Sequence, residues 1–180
     1  MKNFKAAKEV FSENCENFKE GLSCQNAAEI ASLNEHNEEN ALKYFSLGCQ
    51  YGFLPSCHNE GLMNLRSENK NEKKALSCLH KACNGNFPES CHLIGTLYLN
   101  PKIVPGATNL PPRDVSQGVI FLTKACDQGG ARACKTLINM YEKGDIVGKS
   151  ASMVELFKAK LKQNLEKKLK MRPDGISAPS

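Results

Sequence analysis

Cysteine is the residue type with the greatest capacity for chemistry in this sequence of 180 residues, which contains nine of them. Eight fall into four close pairs, three with seven intervening residues and the first with eight. The pairs are Cys15 with Cys24, Cys49 with Cys57, Cys83 with Cys91, and Cys126 with Cys134. Paired cysteines can form disulfides, bind zinc or pack as small apolar residues. Because the pairing recurs in four units, we favour disulfides.

A disulfide within each pair requires the chain to fold back between the two cysteines. Residues eight apart on one continuous helix lie about 12 Å apart along its axis, whereas a disulfide joins Cα atoms about 4.4–6.8 Å apart. In three units a residue that readily ends a helix stands three places after the first cysteine, namely Gly52, Asn86 and Gly129. In the first unit this residue is Phe18, so the turn is less clearly marked there. The spacing predicts a helix, a reversal and a second helix, with the bond joining the two helix ends.

Zinc binding is the main alternative for one dense cluster, formed by Cys78, His80, Cys83, Cys91 and His92. Structural zinc ligands usually stand two to four residues apart. If Cys83 and Cys91 form a disulfide, the remaining side chains make a poor site, and we predict no metal. The odd cysteine, Cys78, occupies a helix position that is Val10, Tyr44 or Phe121 in the other units. This equivalence predicts that Cys78 is a buried free thiol.

Histidines could supply a haem site. The sequence has four, at positions 36, 58, 80 and 92, and Met63 could act with them. His58 and His92 each follow the second cysteine of a unit, so they are expected on one edge of a stacked array. There is no C-x-x-C-H attachment motif, and repeat geometry explains the recurrence equally well. We predict no cofactor and keep haem at His58 and His92 as the alternative.

One short motif could indicate catalysis. Ser67 and Lys70 match the S-x-x-K motif of penicillin-recognising enzymes, but the partner motifs S-D-N and K-T-G are missing from the sequence. The motif also falls between two predicted helices. We interpret it as a chance match and predict no catalytic residue.

The elements that position the cysteines form a repeat. First cysteines recur at intervals of 34, 34 and 43 residues, a period typical of solenoid arrays. Apolar or small residues precede each first cysteine at helical spacing. A small residue stands four places after the second cysteine in three units, as Ala28, Gly61 and Gly95, whereas the fourth has Ile138. The fold predicted for residues 1–150 is an all-α solenoid of about four helix-turn-helix repeats, in which these small residues allow close helix packing.

Residues 100–114 account for the longer interval and contain four prolines, so they predict an inserted loop without α-helix. Its apolar side chains, those of Ile103, Val104 and Leu110, are expected either to pack on the array or to anchor a partner.

Residues 151–171 predict an amphipathic capping helix, with membrane-surface binding as the alternative. Its apolar stripe consists of Val154, Phe157, Leu161, Leu165 and Leu169. Residues 172–180 predict a disordered tail.

Charge and composition narrow the classes of function. Residues 1–150 have 17 basic and 16 acidic side chains, whereas residues 151–180 have seven and three, so the positive charge belongs to the C-terminal stretch. We interpret it as a solvated helix face. No apolar run is long enough for a membrane helix, and the first residues do not resemble a classical signal peptide. Nine cysteines nevertheless favour an oxidising compartment.

The repeat resembles the Sel1-like repeat, with its leading Ala, an Ala-Cys before the turn, and Cys-x-x-x-Gly opening the second helix. The cysteine-paired variant is known from the Helicobacter cysteine-rich, or Hcp beta-lactamase-like, proteins. Three stretches and the basic closing helix are similar to the animal cytochrome c oxidase assembly factor 7 family, a mitochondrial Sel1-repeat family. The stretches are Ser56-Cys-His-Asn-Glu-Gly-Leu62, Lys124-Ala-Cys-Asp-Gln-Gly129 and Met140-Tyr-Glu-Lys-Gly-Asp145. The resemblance covers roughly residues 5–170, and the chain is one N-terminal repeat shorter than that family's usual form.

This resemblance implies a non-enzymatic protein of the mitochondrial intermembrane space that supports assembly of cytochrome c oxidase, respiratory complex IV, by protein–protein contact. The implied partners are complex IV assembly components and the oxidative import machinery, with no nucleic acid and no transmembrane segment. Import coupled to oxidative folding needs no cleaved presequence. The alternatives are a haem-binding carrier, a beta-lactamase-like hydrolase, and a secreted or lumenal Sel1-type adaptor.

Overall fold

A computed structural model describes residues 2–66 and 70–170, and within these ranges the chain is entirely helical, with no strand. Nine α-helices follow one another along the described chain. Their bounds are α1 Lys2–Phe18, α2 Gly21–Leu33, α3 Glu38–Gln50, α4 Leu54–Arg66, α5 Glu72–Asn84, α6 Pro88–Leu99, α7 Val115–Asp127, α8 Ala131–Lys143 and α9 Ala151–Lys170. A 3-10 turn, Pro101–Ile103, follows α6. The predicted tail, residues 172–180, lies outside the described residues.

The helices form four antiparallel pairs, α1 with α2 through α7 with α8, and each helix packs on the next along the chain. Side-chain caps begin the first helix of three pairs. Asn37, Asn71 and Asp114 each accept a hydrogen bond from the backbone N–H three residues later, which satisfies a donor that the helix start leaves free. The helical repeat and its solenoid stacking, predicted from the cysteine period, are confirmed.

The reversals within the pairs occur where the sequence predicted them. Gly52, Asn86 and Gly129 have φ angles of 85°, 77° and 92°, the left-handed conformation that ends a helix. In the first pair the left-handed residue is Lys19, with φ of 55°, rather than Phe18. This shift by one residue matches the extra residue between Cys15 and Cys24.

Small residues bring the pairs close together. A methyl group on Gly61 would lie 2.8 Å from Leu79 Cγ, and one on Gly95 would lie 2.9 Å from the Gly118 carbonyl oxygen. These contacts confirm the expected close approach at two of the three positions. The largest apolar cluster runs from Leu65 on α4 to Phe157 on α9, so the core is continuous across the last two pairs and the closing helix.

The inserted loop packs back on the array through part of its length. Val104 and Leu110 contact the largest apolar cluster, and the Thr108 N–H donates to the Glu72 carboxylate at 3.1 Å. Ile103 instead remains 52% exposed. Val104 and Leu110 therefore pack on the array, which was one of the two expectations for the loop. Ile103 is instead available to contact a partner, which was the other. Residues 100–114 contain no α-helix, as expected, and their one helical element is the 3-10 turn.

The closing helix α9 differs from its predicted pattern. Val154 and Phe157 are buried as expected, but Leu165 and Leu169 are 47% and 68% exposed. The helix has 20 residues, whereas its neighbour α8 has 13, so its last turns extend beyond the surface they would bury. The stripe prediction is wrong for these two leucines, and Asn164 is buried in their place.

Asn164 belongs to a contact that recurs between units. The carbonyl oxygen of a first cysteine accepts a side-chain hydrogen bond from the following unit in three cases. Lys81 Nζ donates to Cys49 at 2.6 Å, Gln128 Nε2 to Cys83 at 3.0 Å, and Asn164 Nδ2 to Cys126 at 2.8 Å. The closing helix therefore docks on the last disulfide turn through the same kind of hydrogen bond by which the third and fourth units dock on the units before them.

Replacing Asn164 with Ala is expected to destabilise the protein, because it leaves the buried Cys126 carbonyl without this donor. The Gly129 N–H still donates to that carbonyl, so the expected loss is that of one hydrogen bond, about 0.5–1.5 kcal/mol of unfolding free energy, measured by urea denaturation. Gln163→Ala is the matched control, since Gln163 is exposed on the same helix. Equal stability of the two variants would contradict the assigned contact.

Candidate functional site

Disulfides join the cysteines of all four predicted pairs, as the sequence predicted. Each bond connects the last turn of one helix to the first turn of the next, with Cα–Cα distances between 4.4 and 4.8 Å. All eight cysteines are at most 5% exposed. Since Cys83 and Cys91 are bonded to each other, neither is a thiolate ligand for the zinc site considered above.

The ninth cysteine lies beside one of these bonds. Cys78 is a buried free thiol, and its sulfur, the Cys49 sulfur and a Glu60 carboxylate oxygen all lie within 4.8 Å of one another. Burial, reinforced by the Glu60 carboxylate, raises the pKa of Cys78 to about 12. The thiol therefore stays protonated at neutral pH and is a poor nucleophile and metal ligand.

Removing Cys57 should create a new bond at this position. In a Cys57→Ser variant the Cys49 thiol loses its partner and faces Cys78. In air, dissolved oxygen accepts the two electrons and two protons of the Cys49 and Cys78 thiols, and we expect a disulfide between them, detected by peptide mapping under non-reducing conditions, with no free thiol on titration.

Cys134→Ser is the control for this variant. It frees Cys126, which does not belong to the cluster around Cys78, so two free thiols should remain. Two free thiols in Cys57→Ser as well would show that Cys49 and Cys78 do not approach closely enough to bond.

A groove on the second helices of the repeats holds the two equivalent histidines. This feature, the histidine groove, has a volume of about 540 Å³ and crosses α4, α6, the start of α8 and the end of α9. Its walls include His58, His92, Leu62, Leu93, Arg66, Arg132, Glu89, Ile103 and Lys168. The structure thus places His58 and His92 along one edge. His36 and His80 do not line this groove, and Met63 lines a different one.

Both histidines of the groove have a hydrogen-bond partner, and their burial favours the uncharged form of the imidazole. His58 Nδ1 lies 2.9 Å from Ser90 Oγ, and His92 Nε2 lies 3.3 Å from Thr136 Oγ1. Burial lowers the pKa of His58, an effect that Glu89 opposes and Arg66 strengthens. Burial also lowers the pKa of His92, helped by Arg132 and opposed by Glu89. Both side chains are therefore neutral at pH 7.

Stability should fall on mild acidification for the same reason. Burial, with Lys124 nearby, lowers the pKa of His80 as well. Below the ordinary value of 6.5 the unfolded chain binds more protons than the folded chain, so stability is retained above that pH and is lost as pH falls toward the folded-state pKa values.

Urea denaturation on both sides of pH 6.5 measures this effect, and His92→Gln should reduce the difference. His36→Gln is the control, because His36 is exposed. An equal pH dependence of His92→Gln and the wild type would contradict the effect of burial at His92.

The positive side chains of the groove were not recognised in the sequence. Arg66, Arg132 and Lys168 lie on three different helices, separated by tens of residues, and only the stacking of the units brings them together. Lys168 belongs to the basic stretch for which the sequence predicts a solvated helix face. The charge of α9 is visible in the sequence. The position of that charge relative to α4 and α8 is not, because it depends on tertiary packing.

The S-x-x-K motif is only partly described. Ser67 lies outside the described residues, and Lys70 begins the next described range. The interpretation of this motif as a chance match stays a prediction. None of the described helices is sufficiently long and apolar to span a membrane.

Solved structures similar to this chain identify its fold. A Sel1 repeat protein from Oxalobacter formigenes superposes with a TM-score of 0.63 and 15% identity, covering 80% of this chain and 58% of the other. A protective antigen of uropathogenic Escherichia coli with an SLR fold gives a TM-score of 0.67 and 17% identity, covering 96% and 45%. The chain has a Sel1-like repeat fold.

A third similar structure is an immunity protein from Pseudomonas aeruginosa, with a TM-score of 0.57 and 10% identity, covering 87% of this chain and 73% of the other. The chain spans about half the length of the first two structures. No protein-family model and no curated protein matches the sequence. At these identities the comparisons establish the fold alone, without placing the chain in the cysteine-paired or mitochondrial families that the sequence resembles.

Proposed function

We propose that this chain is a non-enzymatic scaffold that binds other proteins in an oxidising compartment. The observation that carries the proposal is the disulfide in every repeat. Such bonds persist in compartments that do not reduce thiols, and the fold is a stack of units that exposes extended surfaces suited to binding. The buried, protonated Cys78 fits a structural rather than a reactive role.

The compartment we propose is the mitochondrial intermembrane space, and the process is assembly of cytochrome c oxidase. The support is the similarity of residues 56–62, 124–129 and 140–145 to the mitochondrial assembly-factor family. The proposed partners are complex IV assembly components, together with the oxidative import machinery that would form the four disulfides. We propose no cofactor and no catalytic residue for this activity.

Location and pairing are tested together by non-reducing mass spectrometry of the endogenous protein from fractionated cells. We expect it in the intermembrane-space fraction, with four disulfides and one free thiol at Cys78. Recovery from the secretory pathway with the same pairing would favour the secreted or lumenal adaptor. Fully reduced protein would contradict any oxidising compartment.

Depletion of the protein tests its role. We expect less assembled complex IV while the other respiratory complexes remain at normal levels, measured by native gel electrophoresis. Re-expression of the wild-type chain should restore the complex. Normal complex IV after depletion would contradict the assembly proposal without affecting the fold or the disulfides.

One observation favours a second candidate, the haem-binding carrier, because His58 and His92 line the same groove. Haem titration followed by absorbance in the Soret region tests it. A saturable change in the wild type that is lost in His58→Ala and His92→Ala would support this candidate.

The hydrolase alternative depends on Ser67. Hydrolysis of a chromogenic β-lactam by the wild type, abolished in Ser67→Ala, would support it.

A further inference from the structure

The histidine groove continues into a second groove that reaches the inserted loop. The second groove, of about 390 Å³, shares Leu62, Arg66, Leu93 and Ile103 with the first and adds residues such as Lys70, Val104 and Pro105. Together they form one elongated surface, which we call the long groove. It extends from the start of α8 across α6 and α4 to the inserted loop, so an extended segment of chain could lie along it.

Cations outnumber carboxylates among the described residues that line the long groove. Arg66, Lys70, Arg132 and Lys168 line it, whereas Glu89 is the one carboxylate among the described lining residues. No carboxylate in the described part of the chain lies within ion-pair distance of these four cations, although five other lysines have such partners. The groove therefore has positive charge that the described chain does not neutralise.

The histidines report the charges that act inside the groove. Burial is the largest cause of the lowered pKa of both His58 and His92; among the charged neighbours, Glu89 outweighs Arg66 at His58, whereas Arg132 outweighs Glu89 at His92. The guanidinium of Arg132 thus prevails over the carboxylate at the groove wall beside His92. A carboxylate placed there would be attracted by the same field, because clefts that concentrate one sign of charge attract the opposite one.

Apolar side chains line the same groove as the cations. Leu62 and Leu93 are half-buried in the shared part of the groove, and Ile103 is 52% exposed beside them. Ile103 is the exposed member of the three apolar loop residues, so it offers a contact that the array does not use. An occupant would combine carboxylates with at least one apolar side chain.

We propose that the long groove docks an acidic segment of a partner protein, with carboxylates facing Arg66, Arg132 and Lys168 and an apolar side chain on Leu62, Leu93 and Ile103. The mixture of cations and aliphatic side chains favours a peptide over a nucleic acid, for which stacking aromatic side chains are typical. The proposal rests on the protein-binding function proposed above and specifies the surface and the chemistry of the partner.

Charge reversal is the decisive variant. Arg66 and Arg132 are exposed, so Arg66→Glu/Arg132→Glu should fold, which circular dichroism verifies. Lys135→Glu/Lys162→Glu is the matched control: it makes the same change of net charge at two exposed positions of α8 and α9 that do not line the groove. A difference between these variants therefore reports position rather than total charge.

The probe is a displayed library of random-sequence peptides, selected on the oxidised full-length protein. We expect the recovered peptides to be rich in Asp and Glu and to contain an apolar residue. The best of them, synthesised with a fluorescent label, should bind at least about tenfold more weakly to Arg66→Glu/Arg132→Glu than to the control, and more weakly at high salt. Tenfold in affinity corresponds to about 1.4 kcal/mol.

Several outcomes would overturn the proposal. These are recovery of neutral or basic peptides, recovery of none, or an acidic peptide that binds both double variants equally. Preferential binding of a single-stranded oligonucleotide or of phosphatidylserine vesicles, lost in Arg66→Glu/Arg132→Glu, would assign the groove to another ligand.

Complementation separates this proposal from the assembly role. If Arg66→Glu/Arg132→Glu restores complex IV as well as the wild type does, the assembly function stands and the groove is not its interface. If depletion leaves complex IV unchanged but the acidic peptide binds as expected, the groove assignment stands and the assembly role fails.

Discussion

The disulfide across each helix reversal is the constraint on which this structure depends. The paired helices are short, mostly 12 or 13 residues, a length that is marginal for an isolated helix. A bond that closes a loop of eight or nine residues reduces the freedom of the unfolded chain, worth about 2.5 kcal/mol in the chain-entropy model. The same bond places the first cysteine's carbonyl where the next unit reaches it.

The contacts between units follow from that placement. Three first-cysteine carbonyls accept hydrogen bonds from Lys81, Gln128 and Asn164, so the last three of the four disulfide turns are also docking points. Stacking the units in this register aligns the second helices, and their aligned surface is the long groove. The chemistry of the groove is therefore a consequence of the repeat: His58 and His92 recur with the cysteines, whereas Arg66, Arg132 and Lys168 meet only through the stacking.

Much of the fold could be predicted because the cysteine period is a local, repeated signal. The helix pairs, the left-handed residues Gly52, Asn86 and Gly129, and the four disulfides all follow from it. The exposure of the last turns of α9 could not be predicted, since the burial of Leu165 and Leu169 depends on the length of the neighbouring helix. The groove was predicted only in part, because residue spacing within a repeat places histidines but not cations contributed by α4, α8 and α9.

The unfolding free energy of the protein before and after reduction shows most directly whether the disulfides hold the repeats together. Far-UV circular dichroism in urea measures both states. We expect reduction to remove several kcal/mol, a large part of the stability usual for a domain of this size, and helical content to fall at physiological temperature. A reduced protein that unfolds at the same urea concentration as the oxidised one would contradict this expectation.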